Sequence, residues 1–494
     1  MSITPMPLAP FEHFMLAEDG PDHPVGFFVQ MKFQGRFDRP QLNAALKQTL
    51  ALHPLLNSRI HGSVKDATSR ITWIESTSPM LTIDWNDAAI PIRFAAGSWL
   101  DLRSETGIRL WLREAENSTT LMLQVHHCCC DGLGASSFIQ TLLLAYHLLH
   151  TSASTSVLEE MFDPQRLRER DRSCSSWQQI MQTAWHAIFR LGRYFKNQPV
   201  PLATPRALPA DNSGGDQLPR FQTFTFDAAD TKRIRATAKR LGASLNDLLL
   251  RDLFLILDQW NRRHSSDHRS RNIRVCMPVN VRRSTDSHMS AANVISLSFL
   301  DREATQIADP IRLLSKLHEQ NEQTIRARKS LAFVPALKLL GMFPGRLHAR
   351  MQQTNCLASA VLSNLGVLCA GSPLLGRDRR MVSGGVILES IEVVLQLRPL
   401  THVAFVASNY GGKLNLTISH DPRWLDDADG RELLESFVRQ LKASLSSANG
   451  MATDDFSGGQ SSGSVAAELC ERELFAGASS LDRQGVVAAG MTTP

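Results

Sequence analysis

Two adjacent histidines, His126 and His127, are followed after three residues by Asp131 and Gly132. An imidazole, with an unperturbed pKa of about 6.5, can take a proton from a hydroxyl or an amine near neutral pH and return it later. Such a base needs one ring nitrogen free and the other held by an acceptor. The pair therefore predicts general-base chemistry, with proton abstraction from a nucleophile as the leading role.

The sequence around the pair is typical of a strand that passes into a helix. Aliphatic residues occupy alternate positions before it, namely Leu121, Leu123 and Val125. A period of two places His127 on their side of the strand and turns His126 to the other face. From Gly134 to His150, apolar residues recur at helical spacing. Asp131, just before this helix, is either a second catalytic carboxylate or a structural cap or ion pair, and its position favours the structural role.

This stretch resembles the HHxxxDG signature of the chloramphenicol acetyltransferase-like superfamily. That superfamily includes condensation domains of peptide synthetases, alcohol acetyltransferases, polyketide-associated acyltransferases and wax ester synthases. Further segments resemble the family in the same order, and together they cover roughly residues 5 to 446: Pro10 to Glu12, Val25 to Phe33, Leu42 to Ile60, Gly242 to Asp247, Pro278 to Arg282 and Ser363 to Gly366. Because the matches cover most of the chain, the assignment does not depend on one short motif.

The resemblance implies a role for each matched residue of the motif. His127, at the second histidine, would be the general base that deprotonates the acceptor nucleophile, and His126 would support the site. Asp131, followed by Gly132, would pair with Arg282 and so hold the loop that presents the base. The implied reaction is attack of the acceptor on an acyl thioester without a covalent acyl-enzyme.

The resemblance also implies a second group of site residues and the co-substrates. Ser363 and Asn364 would lie near the reacting carbonyl, where a hydroxyl could donate to the developing oxyanion. No tightly bound cofactor is expected, and acyl-coenzyme A or a phosphopantetheinyl carrier would be the co-substrate. The small-molecule donor and acceptor would be the main partners, and a carrier protein, if used, would act in trans.

Each half of the chain begins with a strand pattern and then a helix pattern. In the first half these are Val25 to Phe33 and Arg39 to Leu52, and in the second Phe221 to Phe226 and Ala228 to Leu241. The repetition predicts an α/β (α+β) fold of two similar lobes, and the resemblance implies a V-shaped pseudo-dimer with a central tunnel. The predicted division is 1–198 for the first lobe, 199–219 for a linker, 220–448 for the second lobe and 449–494 for a disordered tail.

Near the end of the second half, four short strand patterns are separated by turn residues. They are expected to lie side by side as a meander: Val382 to Leu388, Ile391 to Leu397, His402 to Ser408 and Leu414 to Ser419. The helical pattern from Leu425 to Leu445 then closes the fold.

Composition is that of an ordinary globular protein, with 43% hydrophobic and 20% charged residues over 494 positions. No secretory signal and no run long enough to span a bilayer is visible, since the most apolar stretch, Leu331 to Phe343, is short. We therefore expect a cytoplasmic location. The segment Ser175 to Asn197 places aromatic residues beside basic ones, which suits peripheral membrane contact or, more often, packing on the protein itself.

The net charge of +5 is modest for this length and does not indicate nucleic-acid binding. Basic residues do cluster in one segment: Arg262, Arg263, His264, His268, Arg269, Arg271 and Arg274. Two interpretations stay open. The cluster could meet the phosphates of coenzyme A or an acidic carrier protein, or it could be a solvated loop, which charge runs usually are.

The eight cysteines, three of them consecutive at Cys128 to Cys130, do not suggest disulfides, because neighbours on an extended chain point in opposite directions. A metal site is a competing interpretation of the His-Cys-Asp run. Contiguous ligands alternate faces, however, whereas structural zinc sites use ligands about two to four residues apart. The pairs His147/His150 and His264/His268 lack a Cys-x-x-Cys partner. We therefore expect no metal, and reduced cysteines that fill small buried spaces.

Three functions remain open. Acyl transfer from a thioester to an alcohol or amine explains the complete signature and the matches in both halves. A binding or scaffolding relative without turnover is the second, and the complete motif counts against it. A lipid-surface enzyme of the wax ester and diacylglycerol acyltransferase kind is the third, and the segment Ser175 to Asn197 favours it.

Overall fold

The computed structural model describes residues 5–62, 71–76, 81–94, 97–171, 198–206, 219–265, 272–326, 337 and 355–450. The amphipathic segment 175–197 and the predicted tail beyond residue 450 lie outside the described residues, as do residues 207–218 of the predicted linker. The remaining linker residues that are described pack on the second lobe, where Leu202 is buried and the backbone N–H of Ala203 donates to Asn261 Oδ1.

The described strands are β1 Met6–Pro7, β2 Gly26–Gln34, β3 Ser58–His61, β4 Thr72–Glu75, β5 Ile83–Asp87, β6 Ile108–Glu114, β7 Ser118–His126, β8 Arg220–Phe226, β9 Asn272–Asn280, β10 Ile295–Glu303, β11 Ala360–Val367, β12 Val382–Ser383, β13 Val386–Leu395, β14 Val403–Tyr410 and β15 Lys413–His420. The described α-helices are α1 Pro10–Glu18, α2 Arg39–Leu52, α3 Gly132–His150, α4 Ser156–Glu160, α5 Ala228–Arg240, α6 Leu245–His264, α7 Ala304–Ile307, α8 Pro310–Arg326 and α9 Asp427–Gly450.

Twelve of these strands form two six-stranded mixed sheets, one in each lobe, and the other three form a small antiparallel sheet in the order β1-β4-β3. The first six-stranded sheet has the order β12-β13-β2-β7-β6-β5, and the second has the order β10-β9-β11-β14-β15-β8. Each six-stranded sheet carries its own apolar core, in which alternate strand residues meet the helices on one face. Phe27, Leu123 and Phe138 belong to the first core, and Leu253 and Phe405 belong to the second. The predicted α/β architecture of two lobes is therefore present.

The lobes do not separate cleanly along the chain. Strands β12 and β13 come after β11 of the second sheet, yet both belong to the first sheet, where β13 pairs antiparallel with β2 and Leu395 lies opposite Phe27. The meander predicted for residues 382–419 is therefore wrong in its first half. There the two-residue strand β12 is followed by one longer strand, β13, which spans the predicted break with a register shift between Leu388 and Ser390. Periodicity shows that a segment is a strand, but the partner of the strand depends on contacts distant in sequence.

Helix α3 also changes one expectation. Among the described residues, this helix alone has the length and the apolar composition needed to cross a membrane. No such run was expected from the sequence. In this fold 61% of that helix is buried, with Phe138, Leu142 and Tyr146 in the first core. It is therefore a core helix, and it begins at Gly132, the last residue of the histidine motif.

Candidate active site

His127 lies at the turn between β7 and α3, as predicted. The strand ends at His126 and the helix begins at Gly132. The backbone N–H of His127 donates to Val25 O at 3.0 Å, and its ring meets the edge of Phe27 with the ring centroids 5.2 Å apart. Phe27 is the cross-strand partner of Val125, so His127 lies on the face of the three aliphatic residues, as the period of two predicts.

A cavity of about 930 Å³ lies between the lobes, and His127 lines it. Its wall combines residues of the first lobe with residues of the second, among them Gly26, Asp131, Gly132, Asn280, Ser363 and Asn364. A volume of this size is large enough for a small-molecule substrate. The structure thus brings both halves of the chain to one site around His127.

The electrostatic surroundings of His127 favour a neutral ring. Burial lowers the pKa of His127, because desolvation disfavours the imidazolium, while its own backbone carbonyl and the Asp131 carboxylate act in the opposite direction. Nδ1 is buried and has no hydrogen-bond partner in the described part of the chain. Since Nδ1 is enclosed, Nε2 is the nitrogen left to act as a base toward the cavity.

Asn293 holds the carbonyl of His127, and the sequence analysis missed it. Its Nδ2 donates to His127 O at 2.7 Å, and its side chain is buried. The residues on either side bind the same loop: Ala292 O accepts from the backbone N–H of Asp131, and the backbone N–H of Val294 donates to Asp131 Oδ2 at 2.8 Å. The segment 290–294 of the second half therefore clamps the motif of the first half. No local pattern distinguishes Asn293 from any polar residue that precedes a strand.

Replacing Asn293 with alanine should lower the kcat of the acyl transfer proposed below by about tenfold, with a smaller effect on KM. The His127 carbonyl would lose a buried donor, which costs about 1–3 kcal/mol, and the orientation of the ring would no longer be fixed. Steady-state kinetics of purified variants measure this effect. Ser290→Ala is the matched control, because Ser290 Oγ donates to Leu52 O in the same segment without contacting His127. An equal loss in both variants would contradict a specific role for Asn293.

His126 is turned away from the cavity and forms a buried polar cluster. Its Nδ1 accepts from the backbone N–H of Cys128 at 3.1 Å, and its Nε2 lies 3.2 Å from Asp19 Oδ2. Asp19 also accepts from the backbone N–H of Val25 and from Trp99 Nε1. Burial by itself raises the pKa of Asp19, but His126 and these hydrogen bonds outweigh it and hold the pKa below its usual value. His126 thus fastens the loop, and Asp19 is a second residue that the sequence analysis missed.

Asp131 and Arg282 form the predicted ion pair. The guanidinium binds both carboxylate oxygens, with Nη1–Oδ2 at 2.8 Å and Nη2–Oδ1 at 2.9 Å. Oδ1 also caps helix α3 by accepting from the backbone N–H of Gly134, and Oδ2 accepts from that of Val294. Burial raises the pKa of Asp131, but Arg282 and these donors outweigh it, so its pKa lies below the usual value. Four donors occupy this carboxylate, which favours the structural role over proton transfer.

Gly132 allows the second lobe to close over the start of α3. A β-carbon at this position would lie 2.7 Å from Leu365 Cδ2, which is closer than a real contact permits. Leu365 follows Ser363 and Asn364 in strand β11 and lines the same cavity. The glycine of the motif therefore has a packing role between the lobes.

Strand alternation separates Ser363 from Asn364. Asn364 Nδ2 donates to Asn246 Oδ1 at 3.3 Å, and its Oδ1 accepts from the backbone N–H of Gly366. Ser363 shares its face of the strand with Val361, and both line the cavity. The two predicted residues are both at the cavity, but Ser363 has the hydroxyl available to a substrate, whereas the Asn364 amide holds the strand to helix α6.

Cys128 to Cys130 are buried, and burial raises the pKa of each thiol well above its usual value. Such thiols are poor nucleophiles and poor metal ligands. Cys129 packs against Gly107, where a β-carbon would lie 2.1 Å from its Sγ. The six cysteines of the described residues are free, and no group of three or more His, Cys, Asp and Glu side chains in that part of the chain could hold a metal ion.

The basic cluster does not form one cationic patch among the residues that are described. Arg262 pairs with Asp258 at 2.7 Å, Arg263 pairs with Glu432, and Arg274 is buried in strand β9 beside Asp301. The interpretation as a phosphate-binding cluster is wrong for Arg274, because its guanidinium is only 1% exposed and is already paired with Asp301. Residues 266–271, with His268, Arg269 and Arg271, lie outside the described ranges.

The amino-acid sequence that builds this site is similar to those of known proteins. Residues 22–286, more than half of the chain, match the model of the Condensation domain family. The uncharacterized protein Rv2305 of Mycobacterium tuberculosis is 24% identical over 351 residues, which cover 68% of this chain and 78% of the relative.

Solved structures share the fold at low identity. The first condensation domain of the calcium-dependent antibiotic synthetase, in complex with a substrate analogue, is 16% identical with a TM-score of 0.64, covering 89% of this chain and 96% of that chain. A variant of the starter condensation domain of rhizomide synthetase RzmA, in complex with C8-CoA, is 15% identical with a TM-score of 0.63. The match covers 90% of this chain and 95% of that chain. Polyketide synthase associated protein 5 from Mycobacterium tuberculosis is 16% identical with a TM-score of 0.60. The match covers 90% of this chain and 100% of that chain.

These likenesses confirm the resemblance that rests on the histidine motif, and with it the fold of two chloramphenicol acetyltransferase-like lobes. The range matched to the family model contains residues 126–132 and Arg282, and the matched structures extend over both lobes. The chain therefore belongs to the condensation-domain family.

Proposed function

We propose that this protein is an acyltransferase that moves an acyl group from a thioester to an alcohol or amine acceptor, with His127 as the general base. The observation that carries the proposal is the position of a neutral, oriented imidazole on the wall of a cavity built by both lobes. The donor would be acyl-coenzyme A or an acyl group on a phosphopantetheinyl carrier, and a carrier protein would bind in trans.

The proposed reaction is a direct transfer. His127 Nε2 takes the proton of the acceptor as its oxygen or nitrogen attacks the thioester carbonyl, so a new C–O or C–N bond forms. The C–S bond then breaks, and the proton passes to the departing sulfur to give a free thiol. General-base help of this kind contributes about a hundredfold to ten-thousandfold, and holding both substrates in one cavity adds to it. Ser363, on the wall of the same cavity, is the candidate donor to the oxyanion.

Two further observations support this role. The rhizomide starter condensation domain, which shares the fold, has been solved with C8-CoA, so the fold accommodates an acyl-coenzyme A. In this chain the thiols next to His127 are buried and have raised pKa values, which disfavours a cysteine acyl-enzyme.

A substrate screen tests the proposal. Acyl-coenzyme A donors of different chain length are mixed with alcohols and amines, and release of free thiol is followed with the full chain and with the His127→Ala variant. We expect thiol release that depends on both acceptor and His127. Activity only with an acyl-loaded carrier protein would select the carrier as donor. No acceptor-dependent release with either donor type, or release that is unchanged in His127→Ala, would favour a binding protein without this chemistry.

The low pKa of His127 predicts the pH dependence of the reaction. A general base must be neutral, and a pKa below 6.5 keeps His127 neutral as the pH falls toward that value. We therefore expect kcat/KM to fall on acidification with the midpoint of the acidic limb below pH 6.5. A pH–rate profile measures this midpoint. A midpoint above pH 6.5 would contradict the assignment of His127 in its buried environment.

A further inference from the structure

One wall of the cavity is an apolar strip on the second sheet. Strand β10 presents Ile295, Leu297 and Phe299 to the cavity, whereas the alternate residues Ser296 and Ser298 are buried on the other face. The alternation is what a strand requires when one face meets a substrate and the other meets the core. Three half-buried apolar side chains in a row form a surface suited to hydrocarbon.

Neighbouring strands widen the strip. Pro278 lies opposite Leu297, and Cys276 lies opposite Phe299. Across the next pairings, Val361 lies beside Cys276 and opposite Ala404, and all of them line the cavity. The small side chains of Cys276 and Ala404 leave space over this part of the sheet, so the strip is a shallow groove and not a filled core.

The strip begins at the catalytic base. Asn293, which binds the His127 carbonyl, is two residues before Ile295. The cross-strand partner of Ile295 is Asn280. Two residues after Asn280 comes Arg282, which pairs with Asp131 of the motif. From this end, the strip leads along β10 away from His127. The four steps along the strand from Ile295 to Phe299 span about 13 Å at about 3.3 Å per residue.

Ion pairs mark the other end of the strip. The next cross-strand pair on the same face of the sheet after Phe299 and Cys276 is Asp301 and Arg274, in which Arg274 Nε lies 2.6 Å from Asp301 Oδ1. A second pair between Glu18 and Arg398 also lines the cavity, and both of its charges act on the thiol of Cys276. Burial raises the pKa of Glu18 to about 7, which indicates a poorly hydrated site. Hydrocarbon gains nothing by extending over charged groups, so the apolar surface has a defined length.

We propose that this strip binds the acyl chain of the donor as an extended hydrocarbon of medium length, with the thioester carbonyl at the His127 end. The inference rests on the proposed function, because it assigns the donor chain to a part of the same cavity. A C–C bond of about 1.5 Å in an extended zigzag advances about 1.25 Å, so an apolar length of about 13 Å corresponds to about ten bonds, which lies between a decanoyl and a dodecanoyl chain. Acetyl donors leave most of the strip uncovered, and chains much longer than dodecanoyl meet the ion pairs.

Binding of acyl-coenzyme A thioesters to the full chain tests this assignment. Acetyl-, octanoyl-, dodecanoyl- and hexadecanoyl-coenzyme A are titrated calorimetrically into the His127→Ala protein, in which transfer is not expected. Each buried methylene contributes about 0.8 kcal/mol, or roughly fourfold in Kd, so octanoyl-coenzyme A should bind at least about tenfold more tightly than acetyl-coenzyme A. Hexadecanoyl-coenzyme A should bind no more tightly than dodecanoyl-coenzyme A, because the added methylenes extend beyond the strip. Equal affinity for acetyl and octanoyl donors would overturn the proposal, and so would a continued gain from dodecanoyl to hexadecanoyl.

Two variants locate the effect on the strip. In Val361→Trp the added ring fills the groove beside Cys276, and the octanoyl-to-acetyl affinity ratio should fall by about tenfold. Leu297→Ala removes contact area without adding bulk and should lower the same ratio, which guards against a folding defect in the first variant. Val382→Trp is the matched control, because Val382 is 40% exposed and does not line the cavity. A ratio that stays constant in both strip variants would show that the chain binds elsewhere.

The inference and the proposed function fail in different ways. A chain-length preference in binding, combined with no transfer to any acceptor by the unaltered protein, would leave the groove in place and remove the acyltransferase. Transfer that is equally fast with acetyl, octanoyl and dodecanoyl donors, combined with equal binding, would leave the acyltransferase in place and remove the groove.

Discussion

Replacing His127 with alanine should lower the kcat of acyl transfer by at least about a hundredfold, with little change in the free energy of unfolding. The ring is the only part of the residue that the substitution removes, and the backbone contacts with Val25 and Asn293 stay available. The loss of a general base acts on the chemical step, so KM should change much less than kcat. Free-thiol release under saturating substrate, together with thermal unfolding, measures both quantities.

The control for this variant is His150→Ala. His150 is at the end of helix α3, on the exposed surface, where its ring nitrogen lies 3.0 Å from Gln41 Oε1. This variant should keep the kcat of the unaltered protein. If His127→Ala transferred acyl groups at the unaltered rate while folded, the imidazole would not be the base, and the cavity would have to act by binding alone.

Replacing Arg282 with alanine should destabilise the protein by about 3–5 kcal/mol and lower activity at the same time. The substitution leaves the Asp131 carboxylate charged in a buried position, where it also caps helix α3. The side chains of Arg282 and Asp131 are only 9% and 3% exposed, so solvent screening is weak. Urea unfolding measures the change in stability, and the loop that presents His127 should loosen because its main anchor is lost.

The pH dependence of this effect has a definite sign. In the unaltered protein the folded pKa of Asp131 lies below 3.8, so its stabilising contribution is present above that pH and is lost as the pH falls through the folded pKa. Without Arg282, burial raises that pKa, and the destabilisation should shrink on acidification as the carboxyl becomes neutral.

Two comparisons separate the ion pair from a general charge effect. Arg262→Ala removes an arginine from a pair with Asp258 in which the arginine is 60% exposed, and it should cost less than about 1 kcal/mol. The double variant Arg282→Met with Asp131→Asn removes both charges while asparagine still caps the helix, and it should be more stable than Arg282→Ala. Equal losses in Arg262→Ala and Arg282→Ala would contradict a special role for the buried pair.

Much of the site could be predicted because its central part is local. The alternation before His127, the helix pattern after Gly134 and the capping position of Asp131 are all encoded within about thirty residues, since strand and helix periods act over short distances. The partner Arg282 was accessible only through the resemblance of its own segment to a known family. The ion pair joins residues 151 positions apart, and no period in the sequence connects them.

Asn293 and Asp19 show what local patterns miss. Each is a polar residue in an ordinary position, one before a strand and one after a short helix, and each acquires its role through a contact with the histidine pair. The choice of β2 as the partner of β13 is of the same kind, because a strand with two buried faces is compatible with several neighbours.

By itself, the sequence determined the local frame of the proposed chemistry: a strand, a turn that presents one imidazole, and a capped helix, because these depend on residue type and short-range periodicity. The tertiary structure alone decided that β13 joins the first sheet, that Asn293 fixes the carbonyl of His127, and that an apolar strip of defined length leads away from the base. Those features depend on which surfaces meet when two lobes pack, and that is a property of the whole chain.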